Sequence, residues 1–381
     1  MLSRLSKRLG LRSLAAPLLD EQVPARGRWS FTLGSATLTA FGLQAVSGVA
    51  MLFFYEPTVA GAHASIVALM REVPLGSLIR SLHFWGASAM VLLLLLHLSR
   101  VYFSASYKHP REPTWVLGVL LFFFTLNQFY SGNLLGFHEF GYWSAVVGTY
   151  MLKYVPLVGQ GLYEVATGGE FVGQATLTRF FLVHALIFPV LLAGIAAFHL
   201  RQVIRLGEFG WWFNYREFLS GAPDPAVRGQ PFGPGSALES VRFYPHQALR
   251  DATTSLLLVA TLFGLALAAP APLFAQADPG TLSFIPRAQW VFLPLQRFLD
   301  FMPGSALTAL GSWVFILVLV SALIWLPFLD RDLERNPLRR PAMSLLGVIA
   351  ILLFGMLLII ELMQDPALGE TVRSLRDVRG F

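Results

Sequence analysis

Long apolar runs alternate with polar connections along the whole chain. Runs able to cross a bilayer, roughly 20 residues at about 1.5 Å each, fall near residues 30–54, 78–103, 115–134, 178–204, 252–271, 305–328 and 342–363. The pattern predicts seven spanning helices, A to G, in an all-α polytopic membrane protein. Two connections break the rhythm, residues 135–177 between C and D and residues 272–304 between E and F. Connections of that length carry function or fold into short surface helices. Residues 207–250, rich in Gly, Pro and polar side chains, read as a linker. They join a four-helix unit (29–206) to a three-helix unit (251–365), with a segment 1–28 before them and a tail 366–381 after. The sequence shows no internal repeat, so it offers no support for a transporter built from inverted repeats.

Composition narrows the chemistry. Of 381 residues, 55% are hydrophobic and 13% charged, with a mean hydropathy of +0.61, as expected of a membrane protein. The first 28 residues are basic and polar, and no cleaved signal peptide is expected. Apart from Arg80 and Arg179 at helix starts, Lys and Arg number 19 on the side of the N-terminus and 7 on the other, which predicts a cytoplasmic N-terminus and an outer C-terminus. The net charge of +6 is thus a matter of topology and does not point to a nucleic-acid partner. There is no cysteine, which removes disulfides, thiolate clusters and any haem attached through a thioether. A metal centre in this chain has to use histidine.

Helices B and D each carry two histidines. His83 and His97 are fourteen residues apart, which puts both rings on one face about 21 Å apart. His184 and His199 are fifteen apart, about 22 Å along the axis. B and D both run inward, so His83 is level with His184 and His97 with His199. Two neutral imidazoles facing each other suit a six-coordinate haem b, and two such layers form a transmembrane electron path. A single intramembrane histidine is often just hydrogen-bonded to a neighbouring helix; four at matched depths make that reading weak. Gly34 and Gly48 on A, and Gly118 and Gly132 on C, repeat the fourteen-residue spacing. They would let those helices approach a macrocycle without side chains. Arg80, Arg100 and Arg179 stand near the ligands at the membrane faces, placed either to pair with haem propionates or to snorkel. Pro189 is expected to kink D and accommodate its longer spacing.

These features resemble cytochrome b of the cytochrome bc and b6f complexes, most closely cytochrome b6 fused to subunit IV. LQAVSGVAMLFFYEPTV in A, RVYFSASYKHPREPTWVLGV after His97 and ATLTRFF before His184 carry the resemblance, as does the fourteen-then-fifteen spacing. NPLRRP at 336–341 resembles subunit IV. The resemblance implies a homodimeric quinol oxidoreductase subunit in a bacterial inner membrane, with two bis-His haems b and no covalent haem. Its partners would be a Rieske iron–sulfur protein, a c-type cytochrome, quinone and membrane lipid. Such a subunit would pass electrons from an outer quinol site to an inner quinone site, coupled to proton translocation. FYPHQALRD at 243–251 resembles the family's inner-site stretch and points to Arg250 and Asp251. A carboxylate there delivers a proton and a cation holds an anionic intermediate; the plainer reading of Asp251 is a charge favoured at a helix N-terminus.

The outer site departs from the family. RAQWVFLPL at 287–295 puts Ala288, Gln289, Trp290 and Val291 where the family has Pro-Glu-Trp-Tyr, and a glutamine is no general base. At the end of C, LGFHE replaces Leu-Pro-Trp-Asp-Gln, which offers His138 and Glu139 for the proton duty, unless they are simply solvated. Thr32 stands where the b6 branch has the cysteine of its covalent haem. Two rivals remain: a dihaem anchor that passes electrons between quinone and another redox subunit without bifurcation, and a channel or transporter using the histidines as a proton relay. The last predicts no Soret band.

Overall fold

The computed structural model describes residues 22–24, 28–206, 240–281, 287–301, 305–332 and 334–363. Most of the 207–250 linker, all but three of residues 1–27, and the 366–381 tail lie outside the described residues. All seven predicted spans are helices: α1 (Thr32–Leu52), α3 (Gly76–Phe103), α4 (Glu112–Leu135), the pair α7 (Gln174–Leu182) and α8 (Phe188–Leu206), α9 (Ala248–Ala268), α11 (Ser305–Leu329) and α12 (Pro341–Met363). Six of them are long and apolar enough to cross a membrane over their described residues, and Trp313–Leu329 of α11 is a shorter apolar stretch. The long connections fold into short helices, α5 (Glu139–Leu152) and α6 (Gly159–Thr167) after α4, and α10 (Leu293–Asp300) before α11. A further one, α2 (Ala62–Arg71), lies between α1 and α3 and has no long apolar run to announce it. The end where α1 begins is called basal here and the other end distal.

Three differences from the sequence expectation have local causes. α9 starts at Ala248 and stops at Ala268, ahead of the expected 252–271, because Ala269 precedes Pro270 and takes an extended ψ of 80°. The beginning of the chain and the end of the linker meet: β1 (Gln22–Pro24) pairs antiparallel with β2 (Ser240–Arg242). Span D is interrupted by a π-turn over Val183–Ile187. A π-turn adds one residue to a helical turn, so it absorbs the extra residue in the fifteen-residue spacing, which a proline kink alone does not.

Apolar clusters pin the ends of the bundle. Distally, Leu134, Phe137 and Tyr142 pack with Ala62 and Leu177. Leu82 of α3 meets Leu262 and Ala266 of α9. Basally, Tyr107, Trp115 and Val119 pack against Leu323, Ile324 and Leu326 of α11. A buried polar latch closes the same basal end. Lys108 Nζ lies 2.9 Å from Asp330 Oδ1, and Arg340 donates to Asp330 Oδ2 at 2.9 Å and to the Tyr107 hydroxyl at 2.7 Å. Arg335 donates to the carbonyls of Ala105 and His109 at 2.9 and 2.8 Å. Charges so enclosed persist only when paired and hydrogen-bonded. The latch therefore fastens the α3–α4 connection to the α11–α12 connection.

Candidate functional site

α3 and span D bring the four histidines together as two pairs. The His83 and His184 rings face each other with centroids 6.2 Å apart and planes at 69°. His97 and His199 lie within electrostatic reach of one another at the basal level. Each ring rests on a predicted glycine. A Cβ on Gly48 would come within 3.3 Å of His83 Cε1, on Gly34 within 3.4 Å of His97 Cε1, on Gly118 within 3.4 Å of His199 Cε1, and on Gly132 within 2.5 Å of His184 Cε1. The glycines thus make room for the imidazoles themselves, a closer role than admitting a macrocycle edge.

The rings are oriented through Nδ1. His83 Nδ1 is 3.0 Å from Ser47 Oγ. His184 Nδ1 donates to the Gln128 carbonyl at 3.0 Å and lies 3.2 Å from Ser131 Oγ. His199 Nδ1 donates to the Thr114 carbonyl at 3.0 Å. His97 Nδ1 is buried without a hydrogen-bond partner among the described residues. Committing Nδ1 in this way, as His83, His184 and His199 do, leaves Nε2 available to ligate a metal. Among the described residues no three His, Cys, Asp or Glu side chains gather around one point. A bare metal ion takes three or four protein ligands, whereas two opposed imidazoles suit an iron whose other ligands come from a macrocycle. The 6.2 Å centroid separation matches two metal–imidazole bonds of about 2 Å each plus the reach of the two rings.

The arginines differ from one another. Arg80 donates to the carbonyls of Ala271 and Pro272 at 3.1 and 3.0 Å and to Met70 Sδ, holding the start of the α9–α10 loop beside the distal pair. Arg100 lies over the Phe31 ring at 4.5 Å. Arg179 is exposed and turns to the Glu164 carbonyl, 3.4 Å away at the end of α6, where a cation complements a helix C-terminus.

At the distal end, Gln289 Nε2 donates to the Phe129 carbonyl at 3.1 Å, while its buried Oε1 has no partner among the described residues. Trp290 Nε1 donates to Ser88 Oγ at 3.3 Å. His138 is the N-cap of α5, its Nδ1 accepting from Gly141 N–H at 2.9 Å. The loop after α9 pairs with this segment through Glu139 N–H to Ala275 O and Ala277 N–H to Phe137 O, each 3.0 Å. Burial, reinforced by the charges of Arg80 and His63, pushes the His138 imidazole down to about 4. With its free lone pair spent on the cap, this ring is a poor base. Glu139 is half-buried in the first turn of α5 and its carboxylate makes no hydrogen bond or ion pair among the described residues.

At the basal end, Arg250 donates to the His246 carbonyl at 3.0 Å and stacks over Trp29 at 5.8 Å. Asp251 Oδ1 accepts from Gln247 Nε2 at 2.9 Å. Thr32, in the cysteine's place, is buried and donates to the Trp29 carbonyl at 2.8 Å.

Sequence reasoning missed Arg111, Ser47, Ser131 and Gln128. Arg111 is buried at the N-cap of α4, within electrostatic reach of both His97 and His199. Ser47 and Ser131 had a legible signal: each immediately precedes one of the distal glycines, as Ser47-Gly48 and Ser131-Gly132.

A family model described as Cytochrome b/b6/petB matches residues 18–207, which include all four histidines. Cytochrome b6 of Synechococcus elongatus is 41% identical over 204 residues, covering 54% of this chain and 95% of the relative. Cytochrome b6 of Gracilaria tenuistipitata var. liui is 39% identical over 204 residues, with the same coverage of 54% and 95%. Beyond that region, a solved structure titled hyperthermophilic respiratory Complex III matches with a TM-score of 0.81, covering 96% of this chain and 92% of that one. Its sequence identity is 23%, so this likeness speaks for the fold.

Proposed function

The chain belongs to the cytochrome b/b6 family, and from that premise we propose that it is the cytochrome b subunit of a bc-type quinol oxidoreductase. The observation that carries the reading is the set of two opposed histidine pairs, each ring seated on a glycine. His83 with His184, and His97 with His199, would hold two haems b, which supply reversible one-electron storage. Nδ1 partners fix the orientation of the His83, His184 and His199 rings, and the surrounding apolar helices exclude water.

A quinol oxidised at the distal end gives up two electrons and two protons. The unpartnered Gln289 Oε1 accepts a hydrogen bond from a quinol hydroxyl but takes no proton. Glu139 has the free carboxylate, so proton acceptance falls to it, with His138 holding the helix on which it stands. At the basal end Asp251 delivers protons to a reduced quinone beside Arg250. The reading includes a Rieske protein and a c-type cytochrome as partners, a homodimer, and an N-terminus on the cytoplasmic side of a bacterial membrane.

Redox titration of the purified chain tests it. Two b-type steps are expected, with His184→Ala and His199→Ala each abolishing a different one. Absence of a Soret band would overturn the reading in favour of a channel or transporter. The glutamine at 289 keeps the non-bifurcating dihaem anchor as a second reading. Single-turnover quinol oxidation with a Rieske partner separates the two, since only the bc-type subunit sends one electron to the Rieske centre and the other to the haems; Glu139→Gln is expected to slow quinol-driven haem reduction at least tenfold, and an unchanged rate removes Glu139 from the proton path.

A further inference from the structure

Around His184 the polypeptide leaves the regular helical path. In the π-turn over Val183–Ile187, Phe188 N–H reaches back five residues to the Val183 carbonyl. A regular helix would direct that N–H to the His184 carbonyl, and a continued π-turn would use the donor at position 189. Position 189 is a proline and has no N–H. The His184 carbonyl thus loses both backbone donors inside a spanning segment, where an unmade hydrogen bond is most costly.

Gln128 of α4 supplies the missing donor. Its Nε2 donates to the His184 carbonyl at 2.8 Å, and its own carbonyl accepts from His184 Nδ1 at 3.0 Å. One residue therefore grips His184 at both main chain and ring. At the basal pair the His199 ring is likewise held by a backbone carbonyl, that of Thr114, but the residue stands in uninterrupted helix. We propose that Gln128 is a positioning residue that fixes the height and rotation of the His184 imidazole, and that Pro189 creates the need for it. The proposal rests on His184 being an axial ligand.

The test uses the full holo chain with Gln128→Met, Pro189→Ala and the double variant. The readouts are haem content per chain, the midpoint potential of each b-type step and the low-spin resonance spectrum of each haem. Gln128→Met is expected to change the distal signal and potential, with loss of up to half the haem, and to leave the basal signal as in the wild type. Pro189→Ala alone is expected to stay close to wild type. The double variant should recover the distal signal, because alanine restores an N–H for the His184 carbonyl. Equal change in both haems, change in neither, or a double variant no better than Gln128→Met overturns the proposal. If Gln128→Met fails to accumulate, a double variant that accumulates with two haems supports the proposal, and one that also fails overturns it. His184→Ala separates the underlying reading: if it loses no haem the ligand assignment falls, whereas if it loses one and Gln128→Met changes nothing, only the role of Gln128 falls.

Discussion

At the distal end of the four-helix unit, the Ser47 and Ser131 hydroxyls and the Gln128 side chain add to a backbone carbonyl in holding His83 and His184, and His184 stands in a π-turn. At the basal end, His199 rests on a backbone carbonyl in regular helix, and the charges of Arg100 and Arg111 lie within reach of His97. The distal pair has Arg80 nearby, with much of its guanidinium committed to loop carbonyls. A cation in low dielectric favours an electron placed beside it. The two ends therefore differ: side-chain hydrogen bonds supplement a backbone carbonyl at the distal pair, whereas the basal pair has one backbone contact and two cations within reach, which would make it the better resting place for an electron on the proposed haems. The rest of each end matches, with a buried ionic latch below and a neutral, hydrogen-bonded cap above.

The largest effect is expected from the latch. Asp330→Asn leaves the buried Lys108 and Arg340 without their shared carboxylate, a loss of about 3–5 kcal/mol. Unfolding in detergent should show the lowered stability, with the basal b-type signal disturbed first. If the distal signal changes equally, the two ends are not independent.

The distal cap should be pH-sensitive. His138 in the fold sits at about 4 against an ordinary 6.5, so between those values the unfolded chain binds a proton that the native chain refuses. Stability is then complete above about 6.5 and is lost as pH falls to about 4, by about 3 kcal/mol in all. His138→Asn keeps a side-chain acceptor at the N-cap and should flatten the unfolding profile across that window. A slope that persists in the variant places the titrating group elsewhere.

The smallest effect compares the glycines. Gly132→Ala puts a methyl 2.5 Å from His184 Cε1, and Gly118→Ala puts one 3.4 Å from His199 Cε1. The first is expected to cost about 1–3 kcal/mol and to shift the distal spectrum, and the second less than about 1 kcal/mol. Thermal unfolding with visible spectroscopy reads both, and equal costs would erase the contrast between tight and loose seats.

The spans were legible because a bilayer demands about 20 apolar residues per helix, and the histidines and glycines because a helical period turns spacing into facing. What stayed hidden depends on contacts between distant parts of the chain. Gln128 is an ordinary polar residue until Pro189 and the π-turn leave a carbonyl in front of it. Lys108 and Asp330, read alone, are solvated loop charges. For Arg179, its position near His184 in the chain does not show that its long side chain turns to the Glu164 carbonyl. Pro189 is legible as a helix breaker, but spacing alone does not distinguish a kink from the π-turn over Val183–Ile187 that stores one residue.

The latch also has a consequence in time. Tyr107 and Asp330 are 223 residues apart in the chain, and at about 5–20 residues per second of synthesis the carboxylate emerges on the order of 10–45 s after its phenol partner. During that interval Lys108 has no buried anion to meet and has to stay in water. The basal end of the four-helix unit is therefore completed late, by the arrival of the chain's last two spans.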